Sequence, residues 1–228
     1  MKYSLLVCLL VLTAVNVAPQ AVAQSPALQQ GVSVNMAVTT SAQPMPAADN
    51  LDAWIIAVTA DGRLFFGIHP VSPAELMDQM KINPRRRTQN LYIKADARAK
   101  FADVKQALEA ARVGQFAAPV LLTDQHESVQ PGTMIPPKGL EVLLSQPAAA
   151  EPISIRIGAA EKEPSVEVNH RPVSWEDLQR NLAQLLQSQG AKVVLVQADD
   201  PLPFAAVARA IDICHSAGAK VIVPIPAL

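Results

Sequence analysis

The heptapeptide Pro70-Val71-Ser72-Pro73-Ala74-Glu75-Leu76 has a near copy later in this chain of 228 residues. The copy is Pro172-Val173-Ser174-Trp175-Glu176-Asp177-Leu178, which begins 102 residues further on. Both stretches predict the start of a helix, because serine is a preferred N-cap residue and an acidic side chain three positions later completes a capping box. The predicted caps are Ser72 with Glu75 and Ser174 with Asp177.

The surroundings of the heptapeptide repeat as well. An apolar stripe at helical spacing begins at Phe101 in the first copy and at Phe204 in the second, with the same intervals between its apolar residues. In both copies this helix follows a predicted strand that closes with an aspartate, Asp96 or Asp199. The features recur in one order with an offset between 102 and 108 residues. The sequence therefore predicts a tandem duplication.

Each repeat is predicted to contain strand, strand, strand, helix, strand, helix and strand, in that order. Both helices are amphipathic, so we expect them on one face of a mixed β-sheet, which gives an α+β fold of two tandem units. The predicted division is a signal peptide at residues 1–23, a first unit at 24–124, a linker at 125–138 and a second unit at 139–228.

The N-terminus has the features of a secretory signal peptide. Lys2 precedes an apolar segment at residues 5–15, and Ala21-Val22-Ala23 fits the small-residue cleavage pattern. We predict cleavage between Ala23 and Gln24 and a periplasmic location. The apolar segment is shorter than the ~20 residues of a spanning helix. The alternative is an uncleaved N-terminal anchor in the inner membrane.

Composition excludes several classes of site. The formal net charge is -1, so the chain lacks the basic footprint of a nucleic-acid-binding protein. After cleavage Cys214 is the remaining cysteine, and no internal disulfide can form. The four histidines lack the spacing of metal ligands, so we predict neither a metal nor a cofactor.

Asp96 and Asp199 are the candidates for chemistry because they occupy the same place in both units. They could serve an enzyme or a small-ligand site, or they could cap the turn between strand and helix. The pattern favours the structural interpretation, because no histidine or lysine companion repeats beside either aspartate. We therefore predict a non-enzymatic protein, with the site at the two aspartates as an alternative.

The opening strand of each unit, Gly31–Met36 or Gly139–Leu144, is predicted to be a sheet edge open to strand addition by a partner. Trp175 stands where the first unit has Pro73, and it either anchors a partner or covers the adjoining linker. The predicted partner contacts are Val32, Val34, Leu140, Val142 and Trp175.

The first unit resembles the periplasmic domain of the ExbD/TolR family of biopolymer transport proteins. The resemblance rests on the order of several short motifs: Val58-Thr59-Ala60-Asp61-Gly62, Pro70-Val71-Ser72 with Glu75-Leu76, and Ile93-Lys94-Ala95-Asp96 before the helix from Phe101. The second unit matches more loosely, through Pro172-Val173-Ser174, Ala198-Asp199 and the helix from Phe204.

The resemblance implies a partner of an ExbB/TolQ-like membrane channel, in a system that couples the proton gradient to work at the outer membrane. It also implies a domain that dimerises and contacts other envelope proteins, such as a TonB/TolA-like protein. Family members carry a membrane helix with an essential carboxylate, whereas the first acidic residue here is Asp49, outside any apolar segment. Proton relay requires an intramembrane carboxylate. The resemblance thus implies the binding role without the proton relay.

The main hypothesis is an adaptor whose two linked units form, within one chain, the pairing that the family makes by homodimerisation. Tethering favours such an internal pairing, because a short linker raises the effective concentration of one unit near the other. The alternative is a homodimer of chains with separate units.

Overall fold

The computed structural model of the protein describes residues 32–82, 90–125, 136–144, 152–189 and 193–225. These residues form twelve strands, four α-helices and a short 3-10 helix at Pro46–Asp49. The strands are β1 (Gln43–Pro44), β2 (Trp54–Val58), β3 (Leu64–Phe66), β4 (His69–Val71), β5 (Leu91–Ala95), β6 (Val120–Thr123), β7 (Lys138–Glu141), β8 (Ile153–Gly158), β9 (Ser165–Val168), β10 (Arg171–Val173), β11 (Val193–Ala198) and β12 (Lys220–Ile222). The helices are α1 (Pro73–Ile82), α2 (Phe101–Val113), α3 (Trp175–Gln189) and α4 (Phe204–Ser216).

The strands form two mixed sheets that follow the predicted repeat. The first sheet has the strand order β1-β7-β6-β5-β2-β3-β4, and the second has the order β10-β9-β8-β11-β12. In both sheets a parallel pair links the strand before the second helix to the central hairpin, as in β5 with β2 and β11 with β8. The predicted α+β class with two tandem units is confirmed.

The apolar stripes of α2 and α4 are buried, as their helical spacing predicts. On α2 the five stripe residues are at most 3% exposed, and on α4 all five are fully buried. The two sets are Phe101, Val104, Ala107, Leu108 and Ala111, and Phe204, Val207, Ala210, Ile211 and Cys214. Both stripes belong to one continuous hydrophobic core that includes apolar residues of both sheets. The two units therefore share a core instead of each closing around its own.

Three observed strands, β1, β4 and β10, are missing from the predicted order. Residues 69–71 and 171–173 form β4 and β10, which pair antiparallel with the preceding hairpin strands. Pro70 and Pro172 lie inside these strands. Both strands stand at the outer edge of their sheets, where the missing N–H of proline costs no ladder hydrogen bond.

The strand predicted at Gly31–Met36 is wrong over its described residues. Residues 32–36 form no strand, and the chain here makes only isolated bridges, from Met36 to Asp96 and from Val38 to Asp124. The segment crosses the ends of the parallel strands instead of joining a ladder. We call residues 35–41 the strap.

The segment Gly139–Leu144 is not a free edge. In the first sheet β7 lies between β1 and β6, so both of its sides are paired. Two residues later Leu143 pairs in parallel with Ile222 of β12. The segment that was predicted to open the second unit therefore joins the two sheets. The first sheet continues past residue 139, where the second unit was predicted to begin.

The outer face of the first sheet is also covered. A second apolar cluster lies there, with Ile55, Tyr92, Val120 and Leu122 of the strands beneath Met36 and Ala48. Lys94 is 4% exposed on this side, and burial lowers the pKa of its ammonium group, against the opposing effect of Asp124 and Asp49. Its counterpart in the second sheet is Gln197, which is exposed. The outer faces of the two sheets thus differ.

Candidate functional site between the two units

The two units meet at the loops that precede α2 and α4. The N–H of Phe101 donates to the carbonyl of Leu202 at 2.8 Å, and the N–H of Phe204 donates to the carbonyl of Ala99 at 2.8 Å. The two bonds are equivalent, because Phe101 and Phe204 each begin the second helix of a unit. Between them Lys100 forms an antiparallel bridge with Pro203.

A second reciprocal pair flanks the first. The N–H of Ala102 donates to the carbonyl of Asp200 at 3.1 Å, and the N–H of Ala205 donates to the carbonyl of Ala97 at 2.9 Å. Each bond is again the counterpart of the other in the repeat. An interface in which equivalent groups exchange contacts is the signature of two-fold pairing. The two units of one chain are therefore paired as the subunits of a symmetric dimer would be.

The strap ties the first unit to α4 of the second. Asp212 is 8% exposed, and its Oδ2 accepts hydrogen bonds from the N–H and the hydroxyl of Thr40, both at 2.9 Å. Its Oδ1 accepts from the N–H of Ser41 at 2.8 Å and from the Ser41 hydroxyl at 2.5 Å. One buried carboxylate thus satisfies four donors of the strap. The equivalent residue in α2 is Glu109, which forms an ion pair with Arg112.

Asp96 holds the other end of the strap. Its carboxylate accepts hydrogen bonds from the N–H of Asn35 at 3.2 Å, from the N–H of Arg98 at 3.0 Å and from Nε of Arg98 at 2.9 Å. Hydrogen bonds from the Arg98 side chain are the main cause that lowers the pKa of Asp96 from its usual 3.8 to about 2. The residue acts as a turn anchor, in keeping with the structural interpretation from the sequence.

Asp199 has the same place in the second unit but different partners. Its carboxylate accepts a hydrogen bond from the N–H of Ala159 at 3.0 Å and one from Arg156 at 3.4 Å. Asp96 and Asp199 belong to different units, and their partners among the described residues are backbone N–H groups and arginines. The structure thus does not join them into a pair of carboxylates.

We expect Asp96→Asn to lower stability at neutral pH by about 1–2 kcal/mol, because a carboxylate with a depressed folded-state pKa stabilises the fold when ionised. The native contribution is present above about pH 4 and is lost as the pH falls toward the folded-state pKa of about 2. Urea unfolding at pH 7, 4 and 2.5 measures the difference. A variant as stable as the native chain at pH 7 would show that Asp96 anchors nothing.

The predicted helix caps form hydrogen bonds at both copies of the heptapeptide. The N–H of Glu75 donates to the Ser72 hydroxyl at 3.2 Å, and the N–H of Ser72 donates to Glu75 Oε2 at 2.7 Å. In the second copy the N–H of Asp177 donates to the Ser174 hydroxyl at 3.1 Å, and that hydroxyl donates back to Asp177 Oδ2 at 2.9 Å. The carboxylate of Glu75 thus accepts from the backbone N–H of its serine, whereas the shorter side chain of Asp177 accepts from the hydroxyl of its serine.

Trp175 covers an adjoining segment of its own unit. The side chain is 7% exposed, and its indole Nε1–H donates to the carbonyl of Pro164 at 2.7 Å. The guanidinium of Arg209 lies 4.3 Å from the ring centroid, in a cation–π contact. Trp175 is therefore not an exposed aromatic anchor, and the segment that it covers lies just before β9 and not in the linker at residues 125–138.

The other four predicted partner contacts differ in how far they are buried. Leu140 is 2% exposed and Val142 is fully buried, so both are core residues and not surface contacts. Val32 and Val34 are half-buried, and Val34 packs against the outer cluster of the first sheet. The predicted edge contact therefore reduces to Val32 and Val34, neither of which lies on a strand.

The histidines and Cys214 are the remaining candidates from the sequence. Within it no group of three or more histidine, cysteine or acidic side chains could hold a metal ion. Burial raises the pKa of the Cys214 thiol to about 12, which suits a core residue. Across the same ranges no helix is long and apolar enough to cross a membrane. The cleavage site at Ala23 and Gln24 and most of the linker, residues 126–135, lie outside the described residues.

Sequence signals could have pointed to part of this site. Asp212 stands beside the apolar stripe at the position of Glu109, and an acidic residue recurring next to a buried stripe suggests a buried partner. No sequence signal identified Thr40 and Ser41 as that partner. The contact joins residues more than 170 positions apart.

Comparison with known proteins agrees with the repeat. A family model described as Biopolymer transport protein ExbD/TolR matches the chain twice, over residues 3–126 and over residues 123–223. The first match includes the apolar segment at residues 5–15, and the two matches overlap at residues 123–126, where the predicted linker begins. No curated protein matches the chain. The chain belongs to the ExbD/TolR family of biopolymer transport proteins and carries two tandem copies of the family's domain.

Proposed function

We propose that the protein is a non-enzymatic binding or adaptor component of a Ton/Tol-type transport system driven by the proton gradient, and that it acts in the periplasm. Its functional form is a pseudo-dimer made by one chain. The observation that carries this proposal is the set of reciprocal backbone hydrogen bonds between the loops before α2 and α4.

The pairing is strengthened by two features that a transient contact would lack. The shared hydrophobic core contains residues of both units, such as Leu108 and Ile211. The segment at residues 138–143 also belongs to both sheets, through β7 and the bridge from Leu143 to Ile222. A pairing built this way needs no second chain.

The acid content of the N-terminal segment supports an adaptor role over a motor role. Residues 1–48 contain no aspartate or glutamate, so the apolar segment has no carboxylate to take up a proton. Partners of the ExbB/TolQ or TonB/TolA type would then supply the proton relay or the mechanical output. The protein would contribute a binding surface at a fixed two-fold geometry.

A membrane-anchored form is the second candidate, and the family match favours it through one observation. The match begins at residue 3 and thus includes the apolar segment that otherwise resembles a signal peptide. In this form the N-terminus stays uncleaved in the inner membrane, and the strap leads from the anchor into the pseudo-dimer.

Fractionation of cells followed by N-terminal sequencing separates the two forms. The periplasmic form predicts a soluble protein that begins at Gln24, and the anchored form predicts an intact N-terminus in the membrane fraction. Cross-linking in intact cells, with mass spectrometry of the adducts, then tests the role itself. Recovery of a channel subunit or a TonB/TolA-like protein is the expected result, and adducts confined to unrelated proteins would contradict the proposal.

A further inference from the structure

An open groove lies at the junction of the two units, with a volume of about 400 Å³. It is formed where β11 and β12 end, and the start of α2 from the other unit makes its opposite wall. Residues from both units therefore line it, among them Phe101, Lys105, Gln197, Asp199, Pro224 and Ile225.

The strand register identifies the counterpart of this groove in the first unit. Ala95 pairs with Val58, as Ala198 pairs with Ile157, so Asp96 and Asp199 are equivalent. Tyr92 pairs with Val120, as Leu195 pairs with Ile222, so Thr123 is equivalent to Ile225 by the same count. Phe204 is likewise the counterpart of Phe101.

In the first unit the counterpart place is filled by the strap. Asn35 and Met36 contact Asp96, and the Thr39 hydroxyl lies 2.7 Å from the hydroxyl of Thr123. The strap continues to Asp212 on α4, the helix that faces this place from the other unit. Among the described residues, one copy of this groove is thus occupied and the other is open.

The described part of the second repeat does not fill its own groove. Its opening segment, residues 138–143, is used in the ladders with β6 and β12. In the first unit the N–H of Ala97 donates to the carbonyl of Asn35 at 2.7 Å. The equivalent N–H, that of Asp200, has no acceptor among the described residues. This backbone donor follows the lining residue Asp199 in the chain, and among the described residues it lacks the bond that its counterpart makes.

We propose that the open groove binds an extended, uncharged segment of a partner protein, in the way that the first unit holds the strap. The inference rests on the proposed adaptor function, because it assigns the partner's place on the pseudo-dimer. The bound segment accepts a hydrogen bond from the N–H of Asp200 through a backbone carbonyl and runs past Ile225 toward Glu109.

The charges around the groove favour an uncharged segment. Lys105 forms an ion pair with Asp200, and Arg156 lies 3.4 Å from Asp199, so the charged side chains at the rim already have partners. A charged ligand would have to break one of these pairs. The strap itself, Asn-Met-Ala-Val-Thr-Thr-Ser, contains no charged residue.

A synthetic peptide with the sequence of residues 34–42, Val-Asn-Met-Ala-Val-Thr-Thr-Ser-Ala, tests the groove without any partner. We expect titration calorimetry with the full mature chain to show one peptide bound per chain. Gln197→Trp blocks the groove with a large side chain and should weaken binding by about tenfold or more, or about 1.4 kcal/mol. Gln184→Trp makes the same exchange at an exposed position of α3 and should leave binding unchanged.

Thermal unfolding of both tryptophan variants verifies that they fold, which the exposure of both glutamines favours. Absence of peptide binding would overturn the inference, and so would binding that Gln197→Trp leaves intact, since the peptide would then occupy another place. Neither outcome bears on the cross-linking test of the adaptor role. Failure of the groove and failure of the proposed function are thus distinguishable.

Discussion

Phe204→Ala is expected to destabilise both units together, by about 3–5 kcal/mol. Phe204 is fully buried and is among the largest side chains with no exposed surface. It begins α4 at the interface, where its N–H bonds the carbonyl of Ala99 in the other unit. Because the core is continuous across the units, loss of this ring should lower the stability of the first unit as much as that of the second.

The two tryptophans make this prediction measurable. Trp54 lies in β2 of the first unit and Trp175 lies at the start of α3 in the second. Urea unfolding followed in Trp54→Phe and Trp175→Phe backgrounds therefore reports each unit separately. We expect coincident transitions, shifted together by Phe204→Ala. Ile82→Ala, at a position that is 68% exposed, is the control with little expected change. A shift confined to the second unit would show that the units fold independently.

Asp212→Ala is expected to release the strap and to lower stability by about 2–4 kcal/mol. The buried carboxylate accepts four hydrogen bonds from Thr40 and Ser41. A single hydrogen bond to a charged group contributes about 1.5–3 kcal/mol to stability. The total falls below their sum because the freed strap can bond to water. The helix itself should persist, since alanine favours helix.

Hydrogen–deuterium exchange locates the effect of Asp212→Ala. Amides of the strap should lose protection, including those of Thr39 and Thr40, while those of β11 should change little. Asp78→Ala is the matched control, because Asp78 is 71% exposed on α1 and its ion pair among the described residues is with the exposed Lys81. Unchanged protection of the strap in Asp212→Ala would mean that Asp96 and the outer cluster hold it without help from the second unit.

Local patterns in the sequence were sufficient for the helices and the repeat. The apolar stripes that begin at Phe101 and Phe204 follow the helical period of 3.6 residues, and a cap such as Ser72 depends on a neighbour three residues away. These signals are complete within a single turn or helix. For that reason the α+β class and the duplication were predictable.

The pairing of distant segments was not predictable in the same way. Residues 31–36 and 139–144 show similar alternation, yet the first leads into the strap and the second joins two sheets. Alternation specifies which side chains face inward but not which strand lies alongside. The reciprocal bonds at Phe101 and Phe204 run between backbone groups, which every residue except proline possesses, so no residue type marks them.

Trp175 illustrates a choice that only tertiary structure could make. Its position at the first turn of a helix fits both an exposed anchor and a cover for the adjoining linker. In the structure it covers Pro164 instead, whose carbonyl accepts the indole N–H, and Arg209 stacks on the ring. A buried tryptophan needs such an acceptor, and the sequence alone gives no indication of where it lies.

The mass of the mature protein in solution tests the central claim, an internal pseudo-dimer, most directly. Light scattering coupled to size-exclusion chromatography should give the mass of one chain, at most 24.3 kDa, over a wide range of concentrations. The loops before α2 and α4 already exchange their backbone hydrogen bonds with each other inside one chain. A stable particle with the mass of two chains would contradict the account.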